Sequence, residues 1–200
     1  MTTLAVAPLR QPQPPAPDTR SRILTAAQRL FRQRGYHATG LADILQLAGA
    51  PKGSMYHHFP GGKEAIGVCV IENITQGLLG LLAASRARST EALVRQVGAQ
   101  MATVMEKTSY ELCTLFAAFA AERKTSPLLG DAVARAYEAL ALAIEQRLRG
   151  EGHAPRAAKD TALTVTALLE GGSMLSQAQQ STAAFQLSVK QAALLCRAAN

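Results

Sequence analysis

The chain has no tryptophan, and aromatic residues fill only 4% of its 200 positions. Sheets favour β-branched and aromatic side chains on a pleated face, and nowhere do such residues alternate with polar ones over a strand's length. Cysteine is scarce as well: Cys69, Cys113 and Cys196 stand far apart, with no CxxC pair. That pattern excludes a disulfide framework and the clustered ligands zinc needs, and suits a reducing, cytoplasmic setting. No uninterrupted apolar run approaches the ~20 residues that cross a bilayer, and the longest uncharged run, 171–189, is broken by Ser, Gln and Thr. The first residues lack a basic start followed by an apolar stretch, so no signal peptide is expected. No internal repeat of solenoid period is present.

What is present is apolar and basic. Hydrophobic residues make up 48% of the chain, and Lys and Arg exceed Asp and Glu by seven. With Ala and Leu abundant, the expected class is all-α. The excess charge implies a polyanionic partner without choosing between nucleic acid and an anionic membrane surface. Its distribution chooses. Residues 1–64 hold 8 Lys and Arg against 3 Asp and Glu, whereas residues 65–200 hold 13 against 11. A third of the chain carries most of the excess, which favours DNA.

That third is strongly punctuated. Five prolines within residues 1–17 predict a disordered arm, in which Arg10 is the one basic residue. Asp18 or Thr19 can cap a first helix, with Ile23, Ala27, Leu30 and Phe31 on one face, Arg20, Arg22, Arg29 and Arg32 on the other, and a stop at Gly35. Thr39 can cap a helix over 40–48 that Gly49 ends, and Pro51 can open another running to about Phe59. Two short helices joined through a glycine make a helix-turn-helix. On the second, Met55 and Phe59 fall inward, while Gly53 and His57 point away with Ser54, Tyr56 and Lys52 beside them. Such a face is compact, rich in donors and open at Gly53, as contact with phosphates and base edges requires. Adjacent His57 and His58 diverge on a helix and have no third ligand near them, so no metal is expected. Lys63 lies in the first turn of the next helix, where a cation opposes the helix dipole unless an anion sits there.

The segment from Thr39 to Phe59, followed by Lys63-Glu64, closely resembles the DNA-binding head of TetR-family repressors. Leu-Ala-Asp-Ile, Ala-Gly, Lys-Gly-Ser-x-Tyr-His-His-Phe and Lys-Glu all stand in register, preceded by Ala26-Ala27 to Phe31 and Arg34-Gly35-Tyr36. Pro60-Gly61-Gly62 is one residue longer than the common spacing and resembles the LmrA/YxaF branch. The resemblance implies a homodimer on a palindromic double-stranded DNA operator, released by a small-molecule effector, with no cofactor. Carried over by position, Thr39, Lys52, Tyr56, His57 and Lys63 would hold phosphates, and Gly53 and Ser54 would lie nearest the bases. Removal of the Lys63 charge should then weaken operator binding and flatten its salt dependence.

The expected architecture is a helix-turn-helix head at 18–62 on a helical ligand-binding and dimerisation body at 63–200. Helices are predicted at 63–85, 90–107, 109–123, 127–149, 156–179 and 182–198, with Ser126-Pro127 and Pro155 as starts and Gly150 and Gly152 as stops. Met101, Met105, Cys113, Phe116 and Phe119 are more apolar than one helix face requires, and can line a ligand cavity. Cys113 lacks a base or a partner thiol, which favours packing over redox sensing. Glu170 stands alone in an apolar helix; it would pair with a cationic ligand, form an interhelical ion pair or sit at a solvated edge. Small residues in the last two helices, such as Ala162, Ala167, Gly171 and Gly172, suit either a four-helix dimer interface or close packing within one subunit. No catalytic grouping can be proposed from spacing, so an enzyme is not expected.

Overall fold

A computed structural model describes residues 18–110 and 115–197. Among the described residues the fold is all-α, with nine α-helices and no strand. The head holds α1 (Thr19–Arg34), α2 (Leu41–Ala48) and α3 (Lys52–His58). The body holds α4 (Gly62–Ala84), α5 (Thr90–Lys107), α6 (Leu115–Ala121), α7 (Pro127–Gly150), α8 (Pro155–Gln179) and α9 (Ala183–Leu195). A short 3-10 turn, Glu122–Lys124, follows α6. The proposed arm, with Arg10, lies outside the described residues, as does Cys113.

Local chemistry accounts for most of these boundaries. Asp18 caps α1 by accepting the Ser21 N–H at 2.7 Å. Gly49 ends α2 in the left-handed region, at φ 57°. Two expected caps are placed differently. Thr39 is fully buried and donates its hydroxyl to the Gly35 carbonyl at 2.7 Å, so the α2 cap position passes to Gly40, whose N–H donates to the Asp43 carboxylate. Pro51 sits just before α3 rather than in its first turn.

The continuous helix expected over 109–123 is not formed. Ser109 and Tyr110 take positive φ, 47° and 63°, which breaks the ladder after α5, and α6 is described from Leu115. Tyr110 is drawn against the α5–α8–α9 core, and that burial offsets the unfavourable backbone. A second departure concerns α4. By length and composition it could cross a membrane, because an averaged hydropathy tolerates the Glu72, Asn73 and Gln76 that interrupt its apolar run. Within this fold it packs chiefly on α7 and α1.

Two hydrophobic cores organise the chain. One joins Ile23, Phe31, Ile44, Met55 and Phe59 of the head to Ile66, Val70 and Ile71 of α4, Phe116 and Phe119 of α6, and Leu129 and Val133 of α7. It crosses the boundary expected at 62/63, so head and body share apolar contacts. The other, built on Leu148, Val165, Phe185 and Ala192, holds α5, α7, α8 and α9 together. Glycine sets two of its close approaches. A Cβ on Gly98 would lie 2.6 Å from Val189, and one on Gly172 would lie 2.5 Å from the Ser188 hydroxyl and 3.1 Å from the Phe185 backbone. Gly172, Ala162 and Ala192 are therefore used inside the subunit, whereas Ala167 remains exposed.

Phe119→Ala should cost about 3–5 kcal/mol, since it empties a fully buried ring site that both parts share. Denaturant unfolding followed by circular dichroism is expected to show one transition at lower denaturant. A selective loss of either part would contradict the shared core.

Candidate nucleic-acid interface and internal cavity

Helix α3 is set by Met55 and Phe59, which are 0% and 1% exposed. Their burial turns Lys52, Gly53, Tyr56 and His57 outward, all exposed, with Ser54 at the margin. A Cβ on Gly53 would meet nothing within 4 Å, so this point of the helix is open to close approach. Arginines of α1, read from sequence only as a basic face, brace the unit. Arg22 donates to the Gly49 carbonyl at 3.3 Å, holding the turn between α2 and α3. The Arg20 guanidinium lies 5.5 Å from the centre of the Phe59 ring, at the far end of α3.

Two of the expected phosphate ligands are engaged internally. Thr39 is buried, as described above, and its side chain cannot reach a phosphate in this arrangement. Lys63 is half-buried; its ammonium donates to the carbonyls of Tyr36 and Thr39 at 3.1 and 3.2 Å, and lies 4.3 Å from the centre of the Tyr36 ring. The charge that opposes the α4 dipole is thus met by carbonyl oxygens of the α1–α2 turn. Neighbouring Glu64 accepts from the Ser126 hydroxyl and so ties the same helix turn to the start of α7.

Below the head lies a cavity of about 520 Å³ between α4, α5, α6, α7 and α8, within the size range of small-molecule sites. Met101, Met105, Phe116 and Glu170 line it. Phe119 does not. Its ring stacks edge-on against Phe31 at 5.4 Å and Tyr36 at 5.9 Å, in the core shared with the head. Leu78, Leu81 and Leu82 of α4 form much of the apolar wall, which explains why the second half of that helix is apolar although little of it is core.

The sequence reading missed Arg32, which reaches the cavity from α1, and Tyr137, which lines it from α7. Polar positions 166, 170 and 173 recur at helical spacing in the mostly apolar stretch 162–175 of α8, a signal that could have marked the same wall. Glu170 takes neither of the bland roles weighed for it. Its Oε1 is shielded from solvent and accepts no hydrogen bond, and among the described residues it forms no ion pair. Burial pushes its carboxyl above the usual carboxylate range, opposed by a hydrogen bond from the Tyr137 hydroxyl. Burial and the nearby Glu170 in turn push the Tyr137 phenol strongly upward, so it keeps its proton. Cys196 is buried and its thiol is pushed up to about 11, chiefly by burial, leaving it inert.

A braced helix-turn-helix with an open basic face, above an apolar cavity, defines a DNA-binding regulator rather than a membrane-surface protein. Comparison with known proteins agrees. The pattern of bacterial regulatory proteins of the tetR family matches residues 23–66, and that of the LmrA/YxaF-like transcriptional regulator C-terminal domain matches residues 90–191. The chain belongs to the TetR family of transcriptional regulators, in its LmrA/YxaF-like branch. It is 35% identical over 165 residues to the HTH-type transcriptional regulator LmrA of Bacillus subtilis, covering 80% of this chain and 86% of that protein. It is 28% identical over 186 residues to the uncharacterised regulator YxaF of the same organism, covering 90% and 96% of the two chains. Its fold matches the crystal structure of a TetR transcriptional regulator from Legionella pneumophila at a TM-score of 0.80, with 20% identity over 92% of this chain and 100% of that one.

The Glu170 environment has a signed consequence. The folded chain holds this proton to higher pH than the unfolded chain, so ionisation above the ordinary glutamate pKa, about 4.3, favours unfolding. Glu170→Gln should therefore melt at a higher temperature than the parent protein at neutral pH. The difference should close as the pH falls below that ordinary value, where both states are protonated. Equal melting temperatures at neutral pH would contradict the assignment.

Proposed function

We propose that the protein is a dimeric, cytoplasmic transcriptional repressor that binds a palindromic operator through α3 and leaves it when a small, largely apolar molecule fills the cavity. The observation that carries this reading is that head and cavity share walls. Leu115 and Phe116 of α6 line the cavity, while Phe119, one turn on, packs against the head. Helix α4 likewise seats the head with Ile66 and Val70 and walls the cavity with Leu78 and Leu81. A ligand that fits the cavity in only one arrangement of α4 and α6 shifts the protein toward that arrangement. Two heads no longer spaced at ~34–36 Å cannot enter successive major grooves.

On the DNA side, Lys52, Tyr56 and His57 are assigned to phosphates, and Gly53 and Ser54 to the approach of the bases. Lys63 and Thr39 act one step back, by fixing the α1–α2 turn. Dimerisation is assigned to the outer faces of α8 and α9. Leu163, Met174 and Leu175 of α8, and Leu187 and Leu195 of α9, are each close to half exposed or more. That is unusual for large apolar side chains in such number.

The reading is tested by selecting genomic fragments with the purified protein and measuring affinity against salt. Lys52→Ala should weaken binding and lower the salt slope by about one, with an unchanged melting temperature. Lys63→Ala should weaken binding and also lower the melting temperature. A palindrome should emerge from the selection; fragments without two-fold symmetry would overturn the dimer reading. In sedimentation, Leu175→Glu should shift the protein toward monomer.

A further inference from the structure

The wall that α8 gives the cavity has a one-sided hydrogen-bonding character. Thr166 donates its hydroxyl proton to the Ala162 carbonyl at 2.9 Å, and Ser173 donates its proton to the Leu169 carbonyl at 2.9 Å. A hydroxyl has one proton to give, so both present only lone pairs to the cavity they line. Between them stands Glu170, with Oε1 shielded from solvent and unpartnered. The terminal torsion of a glutamate is soft and lets either oxygen turn to the cavity. Three acceptor-bearing side chains thus share one wall, and the surfaces beside them, Leu78, Met101 and Phe116, are apolar.

A buried acceptor left without a donor is costly. One group that satisfies several acceptors at once must carry several N–H or O–H bonds on a single atom. An alcohol or phenol brings one, a carboxylate none, and a protonated amine two or three. A positive charge also lets the Glu170 carboxylate ionise in an apolar site, where alone it is disfavoured.

We propose that the cavity binds an apolar primary or secondary amine in its protonated form, the ammonium held by Glu170 together with Thr166 and Ser173, and the hydrocarbon body lying along Leu78, Met101 and Phe116. The binding claim stands on the cavity alone; that the amine acts as effector rests on the repressor reading above.

Isothermal titration of the full chain with phenylbutylamine, phenylbutanol and phenylbutyric acid, matched in body and differing in head group, tests it. The amine should bind about tenfold or more tightly than the alcohol, and the acid most weakly. In Glu170→Gln, checked for folding by its melting curve, the preference for the amine should shrink below about threefold. Alcohol or acid binding as tightly as the amine, an amine preference that survives in Glu170→Gln, or no binding by any of the three would overturn the assignment. Operator binding is measured on the same preparation. An amine that binds with the expected preference but does not release DNA supports the cavity assignment and removes the effector role.

Discussion

Three aromatic rings and one missing side chain hold this protein in its working form. Phe31 and Tyr36 from the head and Phe119 from α6 meet in tilted and edge-on contacts with centres 5.4 to 5.9 Å apart. Gly67 lets α4 lie against them: a Cβ there would stand 2.7 Å from Leu129, 3.4 Å from Tyr36 and 3.6 Å from Phe119. Over the Tyr36 ring lies the Lys63 ammonium, bonded to the carbonyls of the turn that leads into α2. The chain has nine Phe and Tyr in all, and six belong to this one core or pack on it. Aromatic scarcity is therefore not a thin core but a concentrated one, placed where head and body meet.

That seam gives α4 and α6 two tasks each. The first half of α4 is core and the second half is cavity wall, so the helix is apolar along its length without a full complement of buried neighbours. Its membrane-like composition follows from this double use. Within the described span of α6, Leu115 and Phe116 see the cavity and Phe119, one turn on, sees the head. Side chains packed at crystal-like density move together or not at all. A change on the cavity side of these helices is felt on the side that carries α3.

Much of the head was legible because its determinants are local. Caps, glycine stops and a period of 3.6 act within a few residues, and Asp18, Gly49 and the inward pair Met55 and Phe59 stand where that reasoning placed them. Four of the body helices, α4, α5, α7 and α8, fell within a residue or two for the same reason. Failures came where distant partners decide. Nothing near Thr39 in sequence reveals that its hydroxyl turns back to Gly35 while Lys63 takes its carbonyl. Periodicity favours a helix through Ser109 and Tyr110, but packing of Tyr110 against the second core overrides it. Phe119 has the composition of a pocket residue; one turn separates it from Phe116, and that turn decides cavity against core. Arg32 looked like any arginine of a solvated face.

The sequence by itself determined the class, most helix boundaries, the outward face of α3 and the concentration of charge in the head, since each depends on spacing and residue type along a short stretch. The tertiary structure decided which of those residues are free to act. It withdrew Thr39 and Lys63 into the support of the turn, and brought Arg32 and Tyr137 to the cavity. It also left Glu170 buried beside hydroxyls whose protons point elsewhere. The physical reason is common to all of them: whether a polar group is available depends on where its hydrogen-bond partner lies, and for these residues the partner or the cavity wall belongs to the folded arrangement of the helices rather than to the pattern along the chain.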